Sequence, residues 1–226
     1  IGYVRINGFA EKTPGEMQRA IRWLIEHDMQ GLILDLRDNP GGLLTAATDV
    51  CDMFIDSGTI VTTRRRDKKI SQKIEATAKQ TVGHFPIVVL VNHLSASASE
   101  IVAACLQDHG RAVVVGKRTW GKGTVQEVIE MPDGQGVLKL TTASYWRPSE
   151  KNIHRTKTAK EEDDWGVTPD EGYAVVVEGD ELMRLRKWRL KRDVFQPTDN
   201  GEPAQPFVDR QLAKALEYLD KEIGDR

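Results

Sequence analysis

Pro86-Ile87-Val88-Val89-Leu90-Val91-Asn92 is a short, unbroken, β-branched run, and two residues after it comes Ser95-Ala96-Ser97-Ala98-Ser99-Glu100. The apolar run reads as a strand buried on both faces, the form that parallel strands take inside an α/β sheet. Beyond the serines, Ile101, Val102, Cys105 and Leu106 recur at helical spacing, and Gly110 is placed to end that helix. Small residues at such a strand-to-helix junction let another backbone approach. They also present a hydroxyl and free amides at a helix start. One reading is a capping box, with Ser97 as N-cap and Glu100 three residues on. The other makes one serine a nucleophile, with the following amide donating to a developing oxyanion. Local pattern favours the cap and does not choose among Ser95, Ser97 and Ser99.

Upstream, residues 1–6 read as a strand, and Pro14 opens a helix carrying Met17, Ile21, Leu24 and Ile25 on one face. Residues 31–37 form a second strand that breaks at Asp38-Asn39-Pro40-Gly41-Gly42 before a helix over 43–55. Those glycines make a turn. They also supply unhindered amides at the place where α/β sheets bind ligands. Strands over 59–63 and 70–74 flank a charged segment, 64–69, that reads as a solvated hairpin tip. Downstream, 111–115 is a strand, and strands over 124–131 and 137–143 flank an Asp133-Gly134 turn. Repeated strand–helix–strand units specify an α/β core with parallel strands, and the hairpins add antiparallel ones.

This core is expected to span 1–177, followed by a C-terminal helical extension over 178–226. The extension has a basic helix at 180–192, a Pro- and Gly-containing linker at 196–205 and an amphipathic helix at 207–223. The basic helix is expected to be a solvated face, with contact to a membrane surface or a partner as the other reading.

Composition excludes some classes. The chain of 226 residues carries 34 acidic and 32 basic side chains, a balance that gives no reason to expect a nucleic-acid partner. No apolar run approaches the roughly 20 residues a membrane span requires. Cys51 and Cys105 read as buried thiols, and no cluster has metal-ligand spacing. The chain opens with Ile1 inside a strand, so it reads as a piece of a longer protein. Gly116-Lys117-Arg118-Thr119-Trp120-Gly121-Lys122 mimics a phosphate-binding loop, but Gly123 stands where that loop needs Ser or Thr, and a strand pattern follows where it needs a helix.

Four segments, in this order and spacing, resemble the carboxyl-terminal processing peptidases, or tail-specific proteases: Leu34-Asp35-Leu36-Arg37-Asp38-Asn39-Pro40-Gly41-Gly42-Leu43, Ser95-Ala96-Ser97-Ala98-Ser99-Glu100-Ile101, Gly121-Lys122-Gly123 and Gly166-Val167-Thr168-Pro169-Asp170. The resemblance implies a ClpP/crotonase-like core of mixed, largely parallel sheet and a serine–lysine dyad that cleaves proteins near their C-termini. It places the nucleophile at Ser97, the general base at Lys122, the residue that positions the lysine at Gln126, and the oxyanion donors at the backbone amides of Gly42 and Ala98. It implies no cofactor, protein or peptide substrates with accessible C-termini, an extracytoplasmic location, and a PDZ domain ahead of the core. The chain departs from the family in carrying His93-Leu94 where a Gly usually precedes the serine run.

A lysine serves as a base only when neutral, so its pKa must fall from about 10.4, as desolvation in an apolar pocket would make it do. Four residues of straight strand span about 13 Å, so the chain must turn after Lys122 for Gln126 to reach it, and Gly123 suits that turn. A peptide-binding core without catalysis and a crotonase-like acyl-CoA enzyme are the competing readings. The latter shares the backbone oxyanion logic but needs neither Ser97 nor Lys122.

Overall fold

The structure, a computed structural model, describes residues 1–78, 81–132, 136–193 and 207–225. Four parallel strands, β1 (Gly2–Arg5), β2 (Leu32–Asp35), β5 (Ile87–Val91) and β6 (Val113–Gly116), form one sheet in the order β1-β2-β5-β6. The helices α1 (Thr13–Glu26), α2 (Leu44–Asp52) and α3 (Ala98–Asp108) lie in the crossovers. The remaining strands, β3 (Thr59–Arg64), β4 (Ile70–Glu75), β7 (Thr124–Glu130) and β8 (Val137–Trp146), make a separate antiparallel sheet in the order β4-β3-β8-β7. The mixed architecture is thus divided between two sheets, each of one sense. The Asp133-Gly134 turn and the 196–205 linker lie outside the described residues.

Alternation along the parallel strands explains the layering. Leu32, Leu34, Ile87, Val89 and Val91 point into a core shared with α1, α2 and α3. Ile33, Val88, Leu90 and Val115 point the other way, into a second core. That second face is covered by the last helix, α5 (Arg210–Gly224), through Ala215 and Leu219, both fully buried. The expected boundary at 177/178 therefore divides a sheet from the helix that covers it.

A buried ion network fixes α5 in place. Arg37, just past β2, donates to both Asp35 carboxylate oxygens, to Asp209 and to Gln211. Asp209 is the N-cap of α5 and accepts from the amides of Gln211 and Leu212. Burial would raise the Asp35 carboxyl, but the Arg37 guanidinium overrides it and brings the carboxyl down to about 2.

The basic helix α4 (Gly179–Asp193) turns part of its charge inward, which corrects the expectation of a solvated face. Arg189 is buried and donates to Asp38 at 2.9 Å, and Arg186 reaches the same carboxylate at 3.1 Å. The periodicity of the helix concealed this because the partners are acidic residues of the β2 loop. Arg184, Lys187 and Lys191 remain exposed, and among the described residues no helix is long and apolar enough to cross a membrane.

Replacing Arg37 with Ala removes the main partner of buried Asp35, leaving the Tyr3 hydroxyl and the more distant Arg189, and the expected loss is about 3 kcal/mol in urea unfolding. Asp35 is held below its ordinary value in the folded chain, so its contribution is present above about pH 4 and is lost as pH falls toward 2. Acid sensitivity in that window should be steeper in the wild type than in Arg37→Ala.

Candidate active site

Three loops meet at the carboxyl ends of three neighbouring parallel strands: 36–43 after β2, 92–97 after β5 and 117–123 after β6. This is where open α/β sheets bind ligands. The loop after β1 joins them, because Phe9 pairs with Gly42 and exchanges hydrogen bonds with Gly41 and Leu43.

The three serines, equivalent in pattern, separate by environment. Ser95 is fully buried; its hydroxyl donates to the Leu36 carbonyl at 2.8 Å and accepts from the Asn92 amide. Ser99 is fully buried and donates to the Asn39 carbonyl at 3.0 Å. Only Ser97 is partly open, and its backbone sits at φ 58, ψ −115. A left-handed φ on a non-glycine residue costs of order 1–3 kcal/mol and persists only where the surroundings impose it. The residue pairing of a capping box is present, yet no side-chain cap hydrogen bond forms at Ser97. The Glu100 amide instead donates to the Ser97 carbonyl.

The surroundings that impose this geometry are Gly41, Asn39 and Glu100. A Cβ on Gly41 would fall 2.7 Å from the Ala96 carbonyl oxygen and 2.8 Å from the Ser97 Cβ, so only glycine lets the two loops touch. Asn39 is fully buried: its side-chain amide donates to the Ile6 carbonyl, its side-chain oxygen accepts from Gly41, and its backbone carbonyl accepts from Ala96 and Ser99. The amides of Gly42 and Ala98, expected as oxyanion donors, have no acceptor among the described residues.

Glu100 is the larger find. Its buried carboxylate takes four hydrogen bonds: Oε1 from the Thr119 hydroxyl (2.5 Å) and the Gly121 amide (2.6 Å), and Oε2 from the Ser97 and Lys122 amides (both 2.8 Å). Burial pushes this carboxyl up, and the same donors pull against it. The Gly166-Val167 segment closes the cluster, since the Val167 amide donates to Thr119 Oγ1 and a Cβ on Gly166 would meet that oxygen at 2.8 Å. All four sequence segments therefore converge here.

The side chains of the expected dyad are less closely joined than their backbones. Lys122 is exposed, and its ammonium has no hydrogen-bond or ion-pair partner among the described residues, so the expected apolar burial is not seen. The physical reason is that Trp120, Lys122 and Arg155 rim an open cavity of about 430 Å³ without covering it. Gln126 lies in β7 beside a bulge, paired with Thr141, and no hydrogen bond joins it to Lys122. The chain turns at Gly121, φ 85, while Gly123 is small because a Cβ there would lie 2.3 Å from the His154 amide.

A strained serine thus sits at a strand-to-helix junction on the carboxyl edge of a parallel sheet, the place and the kind of backbone at which functional sites cluster. The comparisons name the family. Residues 1–172 match the model of Peptidase family S41, and the chain belongs to that family. It is 39% identical over 238 residues to a carboxy-terminal-processing protease of Bartonella bacilliformis, covering 99% of this chain and 52% of that protein. It is 41% identical over 170 residues to the chloroplastic carboxyl-terminal-processing peptidase 3 of Arabidopsis thaliana, covering 75% and 31%. Among solved structures it resembles the photosystem II D1 C-terminal processing protease, with TM-score 0.69, 34% identity and coverage of 80% of this chain and 44% of that one. The chain thus spans about half, or less, of the relatives it matches.

Replacing Glu100 with Gln leaves one acceptor oxygen and an NH2 group facing donors, so at least two buried donors lose their partner. At about 1–3 kcal/mol each, a loss of a few kcal/mol is expected in denaturant unfolding. Glu100→Asp, which keeps the charge, should lose less.

Proposed function

We propose that this chain is the catalytic core of a serine endopeptidase that cleaves proteins near their C-termini, with Ser97 as nucleophile and Lys122 as general base. The observation that carries the reading is Ser97 itself: strained, partly open and packed against Gly41, with the amides of Gly42 and Ala98 unpaired among the described residues. Backbone strain of this kind clusters at active sites.

In the proposed reaction, Ser97 Oγ attacks the scissile carbonyl carbon while its proton passes to the neutral amine of Lys122. The oxygen that gains negative charge accepts from the amides of Gly42 and Ala98, which are fixed before substrate arrives. Lys122 then delivers the proton to the leaving nitrogen, and the C–N bond breaks to leave an acyl group on Ser97. Water, deprotonated by the same amine, hydrolyses the acyl-enzyme. Gln126 orients the amine through a neutral amide that adds no charge favouring the ammonium. For this to happen, substrate must cover the open cavity and bring Lys122 and Gln126 toward Ser97; catalytic hydrogen bonds commonly tighten only in the complex. The relatives named as processing proteases support the substrate class, and an extracytoplasmic location and a preceding PDZ domain belong to the same reading.

A fluorophosphonate probe tests the reading directly, because it needs the nucleophile but no bound tail. Ser97 should label, and Ser97→Ala and Lys122→Ala should lose labelling by at least about a hundredfold. The rate should fall as pH drops, since a protonated lysine accepts no proton. A flat profile between about pH 5 and pH 9 would overturn the base assignment. Protein that resists labelling yet binds peptide is a binding core instead.

A further inference from the structure

The cavity beside Lys122 is lined mainly by cations among its charged side chains. Lys117, Arg118, Lys122, Arg155 and Lys157 line it, with Glu161 as its one acidic side chain. Two of the five cations are committed: Lys117 pairs with Glu178, and Arg118 donates to the carbonyls of Glu161, Asp163 and Trp165. The acidic run 161–164 is engaged as well. Glu161 faces Arg118 at 3.4 Å, Glu162 faces Lys160, Asp163 accepts from the Lys160 amide, and Asp164 pairs with Lys151 at 3.1 Å. Lys122, Arg155 and Lys157 are left without an ion-pair partner among the described residues. His93, on the same cavity, is held below its usual range by burial and by the charges of Lys117 and Arg186.

The cavity is also built into the site. The Arg155 amide donates to the Gly121 carbonyl at 2.8 Å, and the Arg155 guanidinium lies 4.4 Å over the Trp165 ring. A Cβ on Gly121 would fall 2.5 Å from the Arg155 Cβ. Arg155 is therefore anchored to the residue directly before Lys122, and Glu100 ties Lys122 to Ser97.

Chemistry gives the cavity a direction. The amine that takes the serine proton must return it to the leaving nitrogen, so residues C-terminal to the scissile bond depart on the lysine side. We infer that this cavity receives the departing tail of the substrate and that Arg155 and Lys157 bind a carboxylate on it. The inference rests on the Ser97–Lys122 reading. The carboxylate has two sources, the substrate's own C-terminus or an acidic side chain on its tail.

Peptides with one acyl-side sequence and three leaving tails separate these outcomes: a neutral tail ending in a free carboxylate, the same tail amidated, and an amidated tail carrying Asp. Affinity is read by fluorescence anisotropy on Ser97→Ala, which holds peptide without cleaving it. The free-acid tail should bind about five- to tenfold tighter than the amidated one, the range for two partly exposed charge pairs. Arg155→Gln/Lys157→Gln should bring that ratio to within about twofold. Lys157→Gln alone, at an exposed position, should reduce it partway and guards against loss of folding. Tight binding of the Asp tail assigns any carboxylate; its failure beside a tight free acid assigns the C-terminus. Equal affinities for all three tails, or a ratio that survives the double variant, overturn the inference. Fluorophosphonate labelling of the wild type separates the two levels. Labelled protein indifferent to tail charge defeats this subsite alone, and unlabelled protein defeats the dyad.

Discussion

A single buried carboxylate holds this site in register. Glu100 is taken out of water by the first turn of α3, and among the described residues no cation pairs with it; four donors compensate instead. Two of those donors are the amides of Ser97 and Lys122, which come from loops after different strands. Both donate to the same oxygen, Oε2, so a single acceptor atom sets the separation of the two backbones. Helix starts ordinarily satisfy their amides with the N-cap side chain. Here the Glu100 carboxylate accepts from the Ser97 amide, the glutamate arm of a capping box, while the amides of Ser99 and Glu100 donate to the carbonyls of Ala96 and Ser97.

The second constraint is backbone contact. Gly41 lies against Ser97, Gly42 against Phe9, and Gly166 against Thr119, each at a distance that excludes a Cβ. The first of these approaches seats the loop after β2 directly on the strained serine. Strain at φ 58 is tolerable because Asn39 and Glu100 bond the loops from both sides. Rigidity of the loops and exposure of the hydroxyl thus have the same origin.

Much of this was legible in the chain. The β-branched runs announced the parallel strands, the Asp38–Gly42 break announced the loop after β2, and the pattern after Gly123 announced the strand β7. What remained hidden depended on partners far apart in sequence. Ser95, Ser97 and Ser99 are alike until the Leu36 and Asn39 carbonyls select two of them for burial. Glu100 fits a capping box so well that its other donors, from 119–122, leave no local trace. Arg189 reads as one more surface charge until Asp38 is placed beside it. The helix at 207–223 shows an apolar stripe, but nothing in the stripe says that it covers the parallel sheet.

The pairing of Arg37 with Asp209, 172 residues apart, sets an order on the birth of the molecule. As the chain leaves the ribosome, the serine loop and the lysine loop emerge well before α5. Until α5 arrives, Arg37 lacks one of its two carboxylates and one face of the parallel sheet is bare. Contacts of such long separation are slow to form, and exposed sheet faces are where nascent chains aggregate. The newborn chain therefore passes through an interval with its sheet uncovered.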